Sequence, residues 1–408
     1  MPTPYSVKPD RDFLRHLLDD GGEDLKKCFQ CATCSVVCEL SGKRQLFPRK
    51  EMISAQWGLK DRLVADPDVW LCYQCNDCST HCPRGARPGD VMAAIRRETV
   101  IEHSVPSFLA RWMSRPRYLP LLLLIPVVIL GLAAMVEKAP AAGQKILYPY
   151  WWRLPHAVLI GLFGVLSVLV FVAMTVGVMR FWRAMKAADG DAARPTKSLR
   201  SSIATVLKNV LMHDQFSLCK TEHSRLLSHM AVFYGFLALS AVAVWVLIVI
   251  LTAGHNPLVP GELIYPFNFW NPWRMLANLG GVAVVAGCAW MIWERLRQDK
   301  KALNTYSDWA FMATFVLVVL SGFVCEALHY LRLEPHRFAA YFGHLVLVFM
   351  LLAYLPYSKF SHTVYRIAAM VYAEYSGRND DVPIEDTDEP KESEKSIIDQ
   401  TSEKETNE

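Results

Sequence analysis

The chain divides into a polar N-terminal part and an apolar remainder, with the change near residue 117. In the polar part, charged and apolar residues mix at helical spacing, for example between Phe47 and Val69. In the remainder, six stretches are each long and apolar enough to cross a bilayer as a helix. They lie at roughly 118–136, 154–179, 226–253, 275–293, 309–325 and 338–358. The pattern predicts an all-α protein, with a helical N-terminal domain followed by a six-helix transmembrane bundle.

This division gives three expected regions. We predict an N-terminal domain over residues 1–110, a transmembrane domain over 111–370 and an acidic tail over 371–408. The last thirty residues contain twelve Asp and Glu and show no apolar periodicity, which predicts a disordered tail.

The charged loops predict the orientation of the bundle. The two loops on one side carry thirteen Lys and Arg, whereas the three loops on the other side carry six. The positive-inside rule therefore predicts an inner-membrane protein with both termini in the cytoplasm. The segment from Met1 to Arg15 has no apolar run, so no signal peptide is expected. The basic residues flank hydrophobic spans, which indicates contact with lipid and gives no support for nucleic-acid binding.

Eight of the eleven cysteines form two matched motifs in the polar part, each with the spacing C-x2-C-x2-C-x3-C. The motifs comprise Cys28, Cys31, Cys34 and Cys38, then Cys72, Cys75, Cys78 and Cys82. In two-cluster ferredoxins of this spacing, the fourth cysteine of each run ligates the other cluster. We therefore assign Cys28, Cys31, Cys34 and Cys82 to one [4Fe-4S] cluster and Cys72, Cys75, Cys78 and Cys38 to a second.

Zinc sites and disulfides are the alternatives for these cysteines. A zinc site needs only four ligands and has no use for a third cysteine at this strict spacing. Disulfides require an oxidising compartment, which the expected cytoplasmic location does not provide. The first motif has Glu39 where a proline usually follows the last cysteine. This difference weakens the assignment of each fourth cysteine to the other cluster, but not the prediction of clusters.

Histidines within the apolar stretches are the second group of candidate ligands. Ionisable residues inside a membrane are costly and indicate function, and imidazoles from two helices bind haem b in helical bundles. The candidates are His229, His344 and His362, with His156 as a further one. His229 and His362 are expected at the cytoplasmic side. Eighteen residues, or five turns, separate His344 from His362, so one continuous helix would present both on the same face about 27 Å apart.

The segment from His344 to His362, with Leu355-Pro356-Tyr357-Ser358-Lys359-Phe360-Ser361 before the second histidine, resembles the last helix of respiratory nitrate reductase gamma subunits. The segment His229-Met-Ala-Val-Phe-Tyr-Gly235 resembles the start of that family's second helix. The resemblance implies that His229 pairs with His362 on one haem. The family's fourth histidine position is Leu239 here, so His344 needs another partner, such as His156 or His329, or its haem is absent.

Together with the cysteine motifs, residues 20 to about 370 resemble a fusion of two heterodisulfide reductase components, the iron–sulfur C component and the cytochrome b E component. This arrangement is similar to the third, membrane-bound component of quinone-interacting membrane-bound oxidoreductase (Qmo) complexes. The resemblance implies cytoplasmic partner subunits that contain flavin and iron–sulfur clusters. It also implies an indirect link to adenylylsulfate reductase in sulfate reduction.

The chain has no G-x-G-x-x-G turn and no Cys-Cys-Gly element, so we expect electron transfer with menaquinone or ubiquinone as its only substrate chemistry. Glu326 with His329, or Glu222 with His223, could exchange protons with the quinone, although Glu326 could equally be a solvated helix end. Two alternatives stay open: the same role in a sulfite-reduction or heterodisulfide-type complex, and a membrane anchor or redox-sensing scaffold without quinone chemistry. The direction of electron flow, the quinone type and the number of haems, one or two, are not determined by the sequence.

Overall fold

The computed structural model describes residues 8–41, 46–135, 156–190, 195–213, 223–252, 269–297, 305–333 and 336–378. Within these ranges every regular element is a helix, which confirms the predicted all-α class. The predicted tail beyond residue 378 lies outside the described residues.

The polar part folds as short helices around its own core. The α-helices described there are α1 (Arg11–Leu17), α2 (Thr33–Val36), α3 (Arg49–Gln56), α4 (Lys60–Val64), α5 (Asp68–Leu71), α6 (Asp77–Thr80), α7 (Pro88–His103) and α8 (Ser107–Met113). Asp10 begins α1 by accepting hydrogen bonds from the backbone N–H groups of Asp12 and Phe13, which would otherwise lack partners. The buried core contains Leu17, Met52 and Ile95.

Within the described residues, the remainder begins with seven helices, which a 3-10 turn joins to α8. They are α9 (Leu119–Met135), α10 (His156–Asp189), α11 (Leu199–Met212), α12 (His223–Thr252), α13 (Pro272–Arg297), α14 (Tyr306–Leu331) and α15 (His336–Ala353). Six of them, all except α11, are long and apolar enough to span a membrane, as the sequence predicted. The fifth span continues to Leu331 and is longer than the predicted 309–325. The first residues of the predicted second span, before His156, lie outside the described residues.

The last apolar stretch is not one continuous helix, and that expectation was wrong. Helix α15 ends at Ala353, a 3-10 turn covers Leu355–Tyr357, and a new helix, α16, runs over Ser361–Tyr375. The physical reason is Pro356, which has no N–H to donate and clashes with the preceding turn. His344 and His362 therefore lie on different helices, and the argument from five whole turns does not apply.

Helix α16 returns to the polar part of the chain. Trp70 of α5, Phe181 of α10 and Tyr365 and Tyr372 of α16 form one buried cluster, in which each of these side chains is at most 1% exposed. The predicted boundary between residues 370 and 371 falls inside α16, which ends at Tyr375. The packing of α16 places the cysteine motifs beside the ends of the long helices.

Candidate metal centres

Four cysteines from the two motifs line one cavity. Cys28, Cys31 and Cys34 come from the first motif, and Cys82 is the last cysteine of the second. Arg49, Arg84 and Phe29 are also among the lining residues. Cys31 is exposed, so this cavity opens toward solvent. The structure thus brings together the first of the two cysteine sets assigned from the sequence.

The cysteines of the second set influence one another electrostatically. Burial, and then the neighbouring thiolates of Cys72, Cys38 and Cys75, raise the pKa of Cys78. Burial, and then the thiolate of Cys72, raise the pKa of Cys38 to about 11. Cys72, Cys38 and Cys75 are thus near enough to Cys78 for their charges to act on its thiol.

The two motifs have matching backbone conformations. Gln30 and Ala32 in the first motif, and Gln74 and Asn76 in the second, have positive φ angles between 57° and 66°. A short helix then follows in each case, α2 or α6. Left-handed backbone is unfavourable for residues other than glycine, so its repetition at equivalent positions shows that the two motifs share one specific loop conformation.

The second cysteine set is held against α16 through the carbonyl of Cys72. The buried Arg96 donates to this oxygen from Nη2 at 2.7 Å, and Arg366 of α16 donates from Nη1 at 3.2 Å. Arg96 also donates from Nε to the carbonyl of Val69 at 2.8 Å. Two guanidinium groups from different parts of the fold therefore fix the start of the second motif.

Trp70 lies between the second motif and His362. Its ring centroid is 5.4 Å from that of His362 and 5.4 Å from that of Tyr365, and its side chain has no exposed surface. Among the described residues its Nε1–H has no hydrogen-bond partner. Burial, and then the positive charges of Arg96 and Arg366, keep the pKa of His362 well below its usual value, so its imidazole is neutral.

His229 lies in the third span and contacts His213, a histidine that the sequence patterns did not single out. It is among the groups whose charge lowers the pKa of His362. Its Nδ1 is 3.3 Å from Nε2 of His213, the residue that ends α11.

His344 lies apart from this group. Its Nδ1 is 2.9 Å from Oγ of Ser321 on α14, and its ring passes close to Gly322. His156 is the first residue of α10, and the position of its side chain lies outside the described residues. The ring of His329 packs edge-on against Tyr330, with 5.6 Å between centroids. No described contact joins His344 to either of the partners suggested from the sequence.

Glu326, the candidate proton-exchanging carboxylate, is partnered within the bundle. Its Oε1 accepts from Nε of Arg274 at 3.0 Å and from Nδ2 of Asn278 at 3.2 Å. The carboxylate is thus not a solvated helix end. Of the alternative pair, Glu222 and the side chain of His223 lie outside the described residues.

A second group of potential metal ligands consists of three buried carboxylates, Glu51, Asp66 and Asp68, whose oxygens lie within 4.8 Å of one another. The ammonium group of Lys50 is 2.8–3.3 Å from all three. Because Lys50 already provides the positive charge, we assign this group to structure and not to metal binding.

Trp70, Arg366 and His213 are the site residues that the sequence patterns did not reveal. The signals for Trp70 and Arg366 were their positions, two residues before Cys72 and four after His362. The signal for His213 was weaker, because it follows an amphipathic helix that crosses no membrane.

The helical fold and the paired cysteine sets define a protein with an N-terminal 4Fe-4S domain and a C-terminal set of membrane-length helices. Residues 24–86 match the 4Fe-4S dicluster domain family. Residues 114–381, more than half of the chain, match the Citrate utilization protein B family, and the chain belongs to that family.

Curated relatives fall into the same two groups. The N-terminal part is 38% identical over 90 residues to the C component of H2:CoB-CoM heterodisulfide,ferredoxin reductase from Methanothermobacter marburgensis, covering 22% of this chain and 48% of that protein. An Archaeoglobus profundus protein described as similar to the C component of heterodisulfide reductase is 39% identical over 88 residues, covering 21% of this chain and 47% of that protein. The chain thus spans about half the length of these relatives.

Citrate utilization protein B of Escherichia coli is similar over a longer region, with 26% identity over 327 residues, covering 74% of this chain and 80% of that protein. No solved structure matches the chain significantly.

Proposed function

We propose that this protein is a membrane electron-transfer subunit that connects the quinone pool, through haem b and two [4Fe-4S] clusters, to soluble flavin- and iron–sulfur-containing partner subunits. The observation that carries this proposal is the junction at Trp70. Its indole contacts the ring of His362, and two residues later the carbonyl of Cys72 accepts from Arg366 of the same helix as His362. A candidate haem ligand and a candidate cluster ligand are therefore neighbours in one buried unit.

The two cysteine sets fit [4Fe-4S] clusters. The cavity surrounded by Cys28, Cys31, Cys34 and Cys82 provides four thiolates, which is the ligand number of such a cluster. Cys72, Cys75, Cys78 and Cys38 would hold the second cluster. Backbone N–H groups point at the sulfurs, since Gln74 N is 3.4 Å from Cys72 Sγ and Ala86 N is 3.3 Å from Cys82 Sγ. Donors of this kind favour the thiolate form that metal binding requires.

The donor set for haem b is His229 and His362. The two imidazoles come from different helices. The neutral form of His362 leaves a nitrogen lone pair available for iron. The orphaned Nε1–H of Trp70 beside His362 fits a site that a bound group completes, since an unpaired buried donor costs about 1–3 kcal/mol. Haem b and the clusters would supply one-electron redox chemistry when bound. His344, with His156 as a possible partner, would hold a second haem.

The proposal also includes a redox client for the partner subunits and a site for the quinone. The family resemblance of the cytochrome and cluster regions to Qmo complexes favours adenylylsulfate reductase as the eventual client, in an inner membrane with both termini cytoplasmic. The heterodisulfide reductase components among the relatives make a heterodisulfide-type complex the alternative client. His329 and Glu326 are the candidates for proton exchange with menaquinone or ubiquinone, and the ion pair of Glu326 with Arg274 would have to open for this.

The test is an anaerobic titration of the purified, cofactor-loaded protein with a menaquinol analogue, following the haem b absorption bands against protein concentration. Reduction of the bands supports a quinone site, and their amplitude gives one haem or two. His229→Ala and His362→Ala are each expected to abolish one haem signal while the protein stays in the membrane. His336→Ala is the matched control, because this exposed histidine begins α15 and is not among the candidate ligands.

Three results would overturn parts of the proposal. Haem bands that are reduced by dithionite but not by quinol would contradict the proposed quinone site. That result would favour a membrane anchor or redox-sensing scaffold. Full haem content in both histidine variants would remove the ligand assignment. Iron and acid-labile sulfide that fit one cluster per chain would remove the second cluster.

A further inference from the structure

His213 and His229 form a hydrogen-bonded pair in which the direction of each proton can be derived. His213 follows α11 in a left-handed conformation (φ 57°) and is 6% exposed. Its Nδ1 is 3.2 Å from the carbonyl oxygen of Leu211, and its Nε2 is 3.3 Å from Nδ1 of His229. The two rings meet edge-to-face, with 5.3 Å between centroids.

A carbonyl oxygen can only accept a hydrogen bond, so Nδ1 of neutral His213 carries the hydrogen. Its Nε2 is then an acceptor, and Nδ1 of His229 must be the donor to it. It follows that Nε2 of neutral His229 carries a lone pair. This is the tautomer that a histidine needs in order to bind a metal through Nε2.

Neighbouring side chains fix this pair in place. Phe233, one turn after His229, lies parallel to the His229 ring at 6.3 Å and meets the His213 ring edge-on at 5.1 Å. The hydroxyl of Tyr234 donates to the same Leu211 carbonyl at 2.5 Å. The end of α11 is thereby attached to the face of α12 that carries His229.

We propose that His213 is a positioning residue for His229. The hydrogen bond that His213 accepts selects the tautomer of His229, orients the His229 ring and increases electron donation from Nε2 of His229 to the metal. The inference rests on the proposed function only for the identity of that metal, haem iron. Metal-binding histidines commonly donate their other N–H to a second group, and loss of such a group typically weakens metal binding roughly 10–100-fold.

The test compares His213→Gly with His213→Asn in the full-length, haem-loaded protein. Both residues tolerate the left-handed backbone at this position. Glycine removes the acceptor for His229, whereas the amide of asparagine can accept from His229 and donate to Leu211. The readouts are the midpoint potential of the haem, its low-spin electron paramagnetic resonance spectrum and the rate of haem transfer to apomyoglobin.

We expect His213→Gly to raise the midpoint potential, because weaker donation from His229 stabilises ferric iron less, and to speed haem loss by roughly 10–100-fold. We expect His213→Asn to restore most of both properties. If His213 only filled space, the asparagine amide would not restore the midpoint potential of the haem. In the unmodified protein, the nitrogen quadrupole coupling of one haem-bound imidazole should be shifted toward that of imidazolate, which gives a readout even if the glycine variant does not fold.

The outcomes separate this inference from the proposed function. If His229→Ala removes haem while His213→Gly leaves potential, spectrum and haem transfer unchanged, His213 has no positioning role and the haem assignment stands. Unshifted quadrupole couplings for every haem-bound imidazole would overturn the role of His213 in the same way. If His229→Ala retains its haem, the ligand assignment fails and the positioning role fails with it.

Discussion

At the residue scale, the clearest energetic feature is the buried charge group around Lys50. Its Nζ lies 2.8 Å from Asp68 and 3.3 Å from both Asp66 and Glu51. Arg378, which follows α16, adds ion pairs to Asp66 and Asp68 at 3.9 and 3.6 Å. Carboxylates at this depth are stable only if cations or protons compensate them.

Lys50→Met should therefore destabilise the N-terminal domain strongly. Loss of one partner from a buried ion pair costs about 3–5 kcal/mol, because the remaining charges stay buried. The measurement is the guanidinium midpoint of the cofactor-loaded protein. Lys60→Met is the control, since Lys60 pairs with the exposed Glu102 at 2.7 Å and such surface pairs contribute about 0–1 kcal/mol. Equal midpoints for the two variants would show that the Lys50 group is not a buried ion-pair network.

Glu51 gives this domain a pH dependence of defined sign. Burial, and then the negative charge of Asp66, raise its pKa from 4.5 to about 8, against the opposing effects of Lys50 and a backbone hydrogen bond. Between these two values the folded state binds a proton that the unfolded state has lost, so the Glu51 contribution falls as pH rises through that window. We expect wild type to lose more stability than Glu51→Gln between about pH 6 and pH 9.

The same unfolding assay at both pH values measures this difference. Glu39→Gln, at an exposed position, serves as the control and should follow wild type. An identical pH dependence in wild type and Glu51→Gln would mean that Glu51 is ionised throughout.

At the scale of elements, glycines decide how closely α12 and α13 approach. A Cβ on Gly235 would lie 2.6 Å from the carbonyl oxygen of Gly280, and one on Gly287 would lie 2.8 Å from that of Ser228. Small residues allow backbones to approach in this way in membrane helix pairs. The close approach holds His229, near the start of α12, in place against α13.

Gly235→Ala should separate the two helices and destabilise the bundle by roughly 1–3 kcal/mol, the usual cost of overpacking. Gly161→Ala on α10 is the matched control, because nothing lies within 4 Å of the added Cβ and alanine favours a helix. The yield of folded protein in mild detergent and its thermal midpoint measure the effect. Equal behaviour of the two variants would mean that the α12–α13 contact is adaptable.

At the scale of the whole molecule, α16 joins the cysteine domain to the long helices. Tyr372 donates to the carboxylate of Asp189 at the end of α10, and Arg378 pairs with Asp189 at 3.2 Å. Trp70 from the cysteine domain is enclosed between α10 and α16. The two parts of the chain therefore share a buried aromatic core.

Trp70→Leu should weaken this shared core by roughly 3 kcal/mol, since removal of a large buried aromatic side chain leaves a cavity. Under the proposed function, Trp70→Leu should also slow reduction of the clusters by quinol, because His362 loses its contact with the segment before Cys72. Reduction of the haem itself should keep its rate. Rapid-freeze electron paramagnetic resonance of the clusters beside stopped-flow haem absorption measures both steps. Trp57→Leu, at a tryptophan that is 55% exposed, is the control. Unchanged cluster reduction in Trp70→Leu would exclude the indole contact from the path.

The all-α class and the six apolar spans could be predicted from the amino-acid sequence, as could the grouping of Cys28, Cys31, Cys34 and Cys82 around one cavity. Each of these follows from a local signal, namely apolar length in a span or the spacing of residues within a motif, which needs no knowledge of distant contacts. The end of α15 before Pro356 was not predicted, because the apolar character continues through the break. The one-helix relation of His344 and His362 was wrong for that reason.

Which distant groups meet depends on the tertiary structure. The pairing of His213 with His229, the contact of Trp70 with His362 and the donation from Arg366 to Cys72 join residues between 16 and 294 positions apart. Periodicity and spacing in the sequence do not predict such contacts, because the contacts depend on where α11 ends and on how α16 packs against the cysteine domain. The candidate ligand residues were therefore visible in the sequence, whereas the side chains that contact them were determined by tertiary packing.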